Sequence, residues 1–131
     1  MIQILLFALL AAAASAADPY IPSPQEKQAI QAKVSELGSR VKILRSRGAD
    51  PGLIADIDVY RKAAEWILRY PEEFYTKAYA ANAMAALGRG LARVEELEAG
   101  TPSWPKQTGR LVRAYVSKVD GSVQPYGLII P

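Results

Sequence analysis

Two aspartates, Asp56 and Asp58, are the first pair in this 131-residue sequence to invite a chemical reading. Paired carboxylates do acid–base work when both reach one pocket. On a helix, however, residues two apart point to different sides, so a solvated surface is the default for this pair. A second acidic group, Glu95, Glu96 and Glu98, falls near the end of a helical stretch. There it faces the negative end of the helix dipole and would benefit from cations, for which Lys106 and Arg110 are candidates. Gly88-Arg89-Gly90 has the look of a phosphate loop, but no strand precedes it and Arg93 occupies the position of the third glycine. A kink or a close helix contact is the better reading. Arg40, Lys42, Arg45 and Arg47 gather in the last turns of another helix, where they complement its dipole; an anionic ligand or surface is the sharper alternative.

The chain has no histidine and no cysteine. That excludes Ser-His-Asp and Cys-His machinery, imidazole or thiolate metal sites, and disulfides. No metal or cofactor is expected from any spacing present, and no catalytic residue is assigned. A net charge of +3 does not argue for nucleic acid. The best candidate site is an aromatic surface: Trp66, Tyr70, Phe74 and Tyr75 cluster at one helix junction, and Tyr126 lies on a later strand. Such rings more often pack a junction than bind a ligand, so we expect them to form an interdomain or ligand contact, with Trp66 a core or interface ring.

Residues 1–16 carry an address. Ile4–Ala14 is an unbroken apolar run leading into Ala14-Ser15-Ala16, the small–x–small form of a signal-peptidase site, and it is too short to span a bilayer. We therefore expect a cleaved signal peptide, a secreted or periplasmic product, and no stable membrane insertion afterwards. Residues 17–22 read as an extended lead-in.

Residues 23–100 read as a helical bundle. Ser23-Pro24-Gln25-Glu26 supplies an N-cap, a proline at the first helical position and a capping-box glutamate. Ile30, Val34, Leu37, Val41 and Leu44 then make an apolar stripe, with Gly48 as the stop. Asp50-Pro51 starts a second, antiparallel helix faced by Leu53, Ile57, Tyr60, Ala64 and Ile67, broadened by Ile54, Ala63 and Leu68 and ended by Tyr70-Pro71. Pro71-Glu72-Glu73 is expected to open a third helix running to Glu98, with Phe74, Ala78, Ala81, Ala85, Leu87, Leu91 and Val94 on its apolar side.

Residues 101–109 read as a linker and 110–131 as a β-hairpin. Arg110–Val119 is rich in β-branched and aromatic residues, with Leu111, Tyr115 and Val119 on one side; Asp120-Gly121 is a hairpin signal, and Ser122–Ile130 returns. Pro125 places that strand at an edge or bulge. The fold class expected is mainly α: an antiparallel three-helix bundle followed by a C-terminal β-hairpin. Two strands are marginal alone, so the sheet is expected to continue past residue 131.

The stretch Tyr115–Pro131, with its aspartate–glycine turn, Gln124-Pro125-Tyr126 strand and closing proline, resembles the opening hairpin of secreted bacterial α/β-hydrolases, a group of esterases and prolyl-oligopeptidase-like serine peptidases. Arg69–Tyr75 and the preceding helices are similar to the helical N-terminal extension of some of these enzymes. The resemblance implies the start of a catalytic sheet. It carries no catalytic residue to any position, because the family places its serine on a G-x-S-x-G elbow with acid and histidine later, and neither elbow nor histidine is present. The expectation is a non-catalytic N-terminal portion, a helical cap or brace plus first strands, of an exported serine hydrolase acting on ester or peptide bonds. Its partner would be the rest of its own hydrolase domain. The alternative is a complete secreted or periplasmic helical binding or scaffold protein without catalytic activity.

Overall fold

A computed structural model describes residues 20–73 and 76–131. The segment expected to be a signal peptide and the first half of the lead-in, residues 17–19, fall outside these residues, as do Phe74 and Tyr75. The described residues form three α-helices followed by a two-stranded antiparallel hairpin, as expected from the sequence: α1 (Pro24–Ser46), α2 (Pro51–Arg69), α3 (Ala78–Glu98), β1 (Gly109–Val116) and β2 (Val123–Ile130). Among the described residues, no helix is long and apolar enough to cross a membrane.

Helix α1 begins and ends where its residues dictate. Ser23 accepts from the Glu26 backbone N–H at 3.2 Å, and the Glu26 carboxylate accepts from the Ser23 N–H at 2.7 Å. Gly48 adopts φ 75° and Ala49 donates back to the Leu44 carbonyl at 3.1 Å, closing the helix in the left-handed turn glycine favours. The stripe Ile30, Val34, Leu37, Val41 and Leu44 is buried throughout. The Tyr20 hydroxyl also donates to Glu26, so the Ser23 N–H first and then Tyr20 hold this carboxyl below its ordinary value of 4.5. A depressed folded-state pKa contributes stability above the ordinary value and loses it as pH falls through the folded value. Accordingly, Glu26→Gln should melt at a lower temperature than wild type at neutral pH, and the gap should close on acidification. Thermal unfolding of both proteins across pH 7 to 2 checks this.

Helix α2 starts at its Asp50 cap, which accepts from Leu53 N–H at 2.9 Å. It is the central element, packed against α1, α3 and both strands. Its residues Ile54–Tyr60 are all buried, so this segment has no solvated face. The single apolar face expected from periodicity is therefore incomplete: Ala55 and Val59 are core residues too, while Ala63 is exposed.

The third helix starts later than expected. Pro71–Glu73 forms a short 3-10 turn and α3 begins at Ala78, where alanine-rich sequence replaces an aromatic and polar stretch of weaker helix propensity. Its buried alanines are Ala80 and Ala83; Ala78, Ala81 and Ala85 are exposed. Stepping back from Leu91 and Leu87 by helical turns reaches Ala83 and Ala80, whereas counting forward from Phe74 selects the wrong face. Gly90 makes the close helix contact expected of this segment: a Cβ there would lie 2.6 Å from Leu37 Cδ2 on α1 and 3.2 Å from Tyr60 Cβ on α2. Gly100 at φ 73°, with Thr101 donating to Glu96 at 2.9 Å, ends the helix.

The segment expected to be a linker contains a core residue. Trp104 is buried in a short 3-10 turn, Trp104–Lys106, beneath the hairpin. In the hairpin, β1 and β2 pair from Gly109↔Ile130 to Val116↔Val123. Ser117 and Ser122 close the ladder with a 2.8 Å bond, leaving a four-residue loop in which Gly121 takes φ 70°. Asp120-Gly121 thus occupies the second half of that loop rather than forming a two-residue turn. The expected stripe of Leu111, Tyr115 and Val119 does not form a buried face: Leu111 is buried, Tyr115 is exposed, and Val119 lies in the loop, 97% exposed. The second buried residue of β1 is Ala114, of opposite parity, because the bundle grips this strand by its edge.

Candidate interaction surface

The edge grip follows from strand phase. The Ser117–Ser122 bond makes the odd-numbered residues of β1 the hydrogen-bonded partners of β2, so the peptide groups of Val112 and Ala114 face away from β2. Both are met by helix side chains. Ala114 N–H donates to Asp56 Oδ1 at 2.7 Å, and the Val112 carbonyl accepts from Arg93 Nη2 at 3.1 Å. Pro125, opposite Ala114, turns its missing donor outward on the far edge of β2, as an edge strand requires. Lys62 on α2 fixes the start of β2 by donating to the Val123 carbonyl at 2.6 Å.

Asp56 is the centre of this arrangement. It is fully buried, and besides Ala114 it accepts from Trp104 Nε1 at 3.0 Å and Arg113 Nε at 2.7 Å. Arg93, also buried, lies between the Tyr60 and Trp104 rings, 5.0 and 5.1 Å from their centroids, and donates to the Asp56 carbonyl at 2.8 Å. Burial lowers the Arg93 pKa from its ordinary value, partly opposed by Tyr60 and Asp56. Two guanidiniums and one carboxylate thus tie α2, α3, the Trp104 turn and β1 together. The donors around Asp56 occupy its oxygens, and no nucleophile lies among them. Its chemistry is structural.

Asp58 does point to another side, as residues two apart must, but that side is also buried. Its carboxylate accepts from Arg45 on α1 at 2.8 Å and Arg61 at 2.6 Å. Surface solvation, expected for both aspartates, is therefore corrected for both. The hint lay in their neighbours: Leu53-Ile54-Ala55 and Ile57, Val59, Tyr60 surround the acids with apolar residues on every side of the helix. The basic group at the end of α1 reaches across the bundle. Arg45 takes Asp58, and Arg40 pairs with Glu95 and Glu98 on α3. Those glutamates therefore find Arg40 rather than Lys106 or Arg110. Glu96 accepts from the Ser103 N–H at 2.7 Å, and bonding to Ser103 holds its carboxyl below the usual range.

The aromatic residues expected at the surface fall into two places. Trp66, at the end of α2, is 52% exposed and meets Tyr70 edge to face at 5.8 Å; it is a surface ring rather than a core one. Tyr126 on β2 packs at 6.2 Å against Tyr115 on β1, both exposed. Phe74 and Tyr75 lie outside the described residues. Ile129, on the outer edge of β2, is 79% exposed, and among the described residues no strand pairs with that edge. Comparison of the chain with protein-family models, with curated proteins and with solved structures found no match.

Proposed function

We propose that this chain is the helical brace and first two strands of an exported serine hydrolase acting on ester or peptide bonds, with the catalytic groups supplied by residues other than those described. The observation that carries the reading is the unequal treatment of the two hairpin edges. The β1 edge is locked into the bundle through Asp56 and Arg93, while the outer edge of β2 past Pro125 and the Tyr115, Tyr126 and Ile129 side chains are left open. A hairpin held rigidly on one side and open on the other is suited to start a larger sheet. In this reading the bundle is non-catalytic, and Trp66, Tyr70 and Tyr126 contact the remainder of the hydrolase.

The gene and its product test this directly. The reading frame is expected to continue past codon 131 to a G-x-S-x-G elbow, and the exported product to be labelled by a fluorophosphonate. A stop codon directly after Pro131, with an unlabelled product, overturns the proposal and favours a helical binding or scaffold protein.

A further inference from the structure

Between α2, α3 and the hairpin runs a groove of about 470 Å³, bounded by Val59, Ala63, Ala86, Val112 and Pro125, with Tyr60 behind them. Its walls are almost wholly apolar. The groove exists because the sequence places alanines at 63 and 86, where larger side chains would fill it. One charged group stands in its lining, Lys62, with the Trp66 ring beside it: Lys62 Nζ lies 5.5 Å from the Trp66 centroid. The ammonium spends one N–H on the Val123 carbonyl at 2.6 Å, and an ammonium has three to give.

We propose that this groove binds a small amphiphilic carboxylate, its aliphatic chain lying along the two alanines and its carboxylate paired with Lys62. Charge complementarity selects the occupant: an apolar channel with a single cation fits an apolar body with a single anion. The volume suits a chain of roughly ten carbons, within the range of small-molecule sites. Val123 and Trp66 hold the ammonium at its position, so little side-chain freedom is lost on binding. The site is lined only by residues of the bundle and hairpin.

Decanoate and decanol, titrated below micellar concentrations into the purified chain by calorimetry and tryptophan fluorescence, test the site. Saturable decanoate binding is expected, with decanol about tenfold weaker or worse, as the loss of one charge-assisted hydrogen bond implies. Lys62→Met should bring decanoate down to decanol, and Lys62→Arg should restore the preference. Ala86→Leu should abolish binding of both. Ala63→Leu, at an exposed position of α2, should do the same while leaving the melting curve intact. No saturable decanoate binding, equal binding of acid and alcohol by wild type, or indifference to Lys62→Met or Ala63→Leu would each overturn the assignment.

Discussion

Replacing Asp56 with alanine is expected to destabilise the protein by about 3–5 kcal/mol and to free the hairpin from the bundle. The magnitude follows from what is left behind. Trp104 Nε1 and the Ala114 N–H lose their acceptor in a buried setting, and the Arg113 guanidinium loses its counter-charge. Each unsatisfied buried donor costs about 1–3 kcal/mol, more where it is charged. Asp56→Asn should not rescue the fold, since an amide turns two donors of its own toward a ring of donors. Asp58→Ala is the control. Its partners Arg45 and Arg61 retain access to water, so the loss should stay near 1 kcal/mol, toward the value for surface pairs. Urea unfolding measures the stabilities, and hydrogen exchange at the Ala114 amide reports the release of β1. Wild-type stability in Asp56→Ala, or retained protection of Ala114, would refute the role given to this carboxylate.

The second large effect is expected at Gly90. Alanine is favoured over glycine inside a helix by about 1 kcal/mol, and Gly88→Ala, with nothing near the new Cβ, should show that gain. Gly90→Ala should instead lose about 1–3 kcal/mol, because its Cβ would press on Leu37 and Tyr60 in a filled core. Leu37 is fully buried and has little room to yield. Leu37→Ala alone should cost about 2–5 kcal/mol by opening a cavity. In that background Gly90→Ala should become neutral or stabilising, since the Cβ enters vacated space. A double-mutant cycle on unfolding free energies measures the coupling. Strictly additive losses would show that the two residues do not share this contact.

The features legible in the sequence were those governed by near neighbours along the chain. Ser23 with Glu26, Asp50 with Pro51, and Gly48 and Gly100 mark helix ends because caps act over three or four residues. The α1 stripe was legible because that helix has one buried side. Helix α2 has no such simplicity: a helix enclosed by two helices and a hairpin carries no solvated face to set its period, and its buried acids resemble surface acids when read by type alone. Trp104 was hidden for a related reason. It sits in a proline-flanked connection, and only the carboxylate of Asp56, 48 positions earlier, gives its indole a place in the core. The alanines of α3 carry too little hydrophobic contrast to phase a helix, so the larger Leu87 and Leu91 decide which of them are buried. Among the site residues, Trp66 and Tyr126 lie exposed, but Lys62, which unites groove and hairpin, gave no signal beyond its position four residues before Trp66.

Pro125 and Lys62 also bear on how an open strand edge resists edge-to-edge stacking. The outward-facing residues of β2 are Val123, Pro125, Gly127 and Ile129. The Val123 carbonyl is already engaged by Lys62, and Pro125 has no hydrogen to donate. An approaching strand therefore finds a full set of backbone partners only at Gly127 and Ile129, too short a ladder to template indefinite stacking of one molecule on the next. Proline and lysine act here as gatekeepers against fibril growth, leaving free backbone only at the far end of the strand.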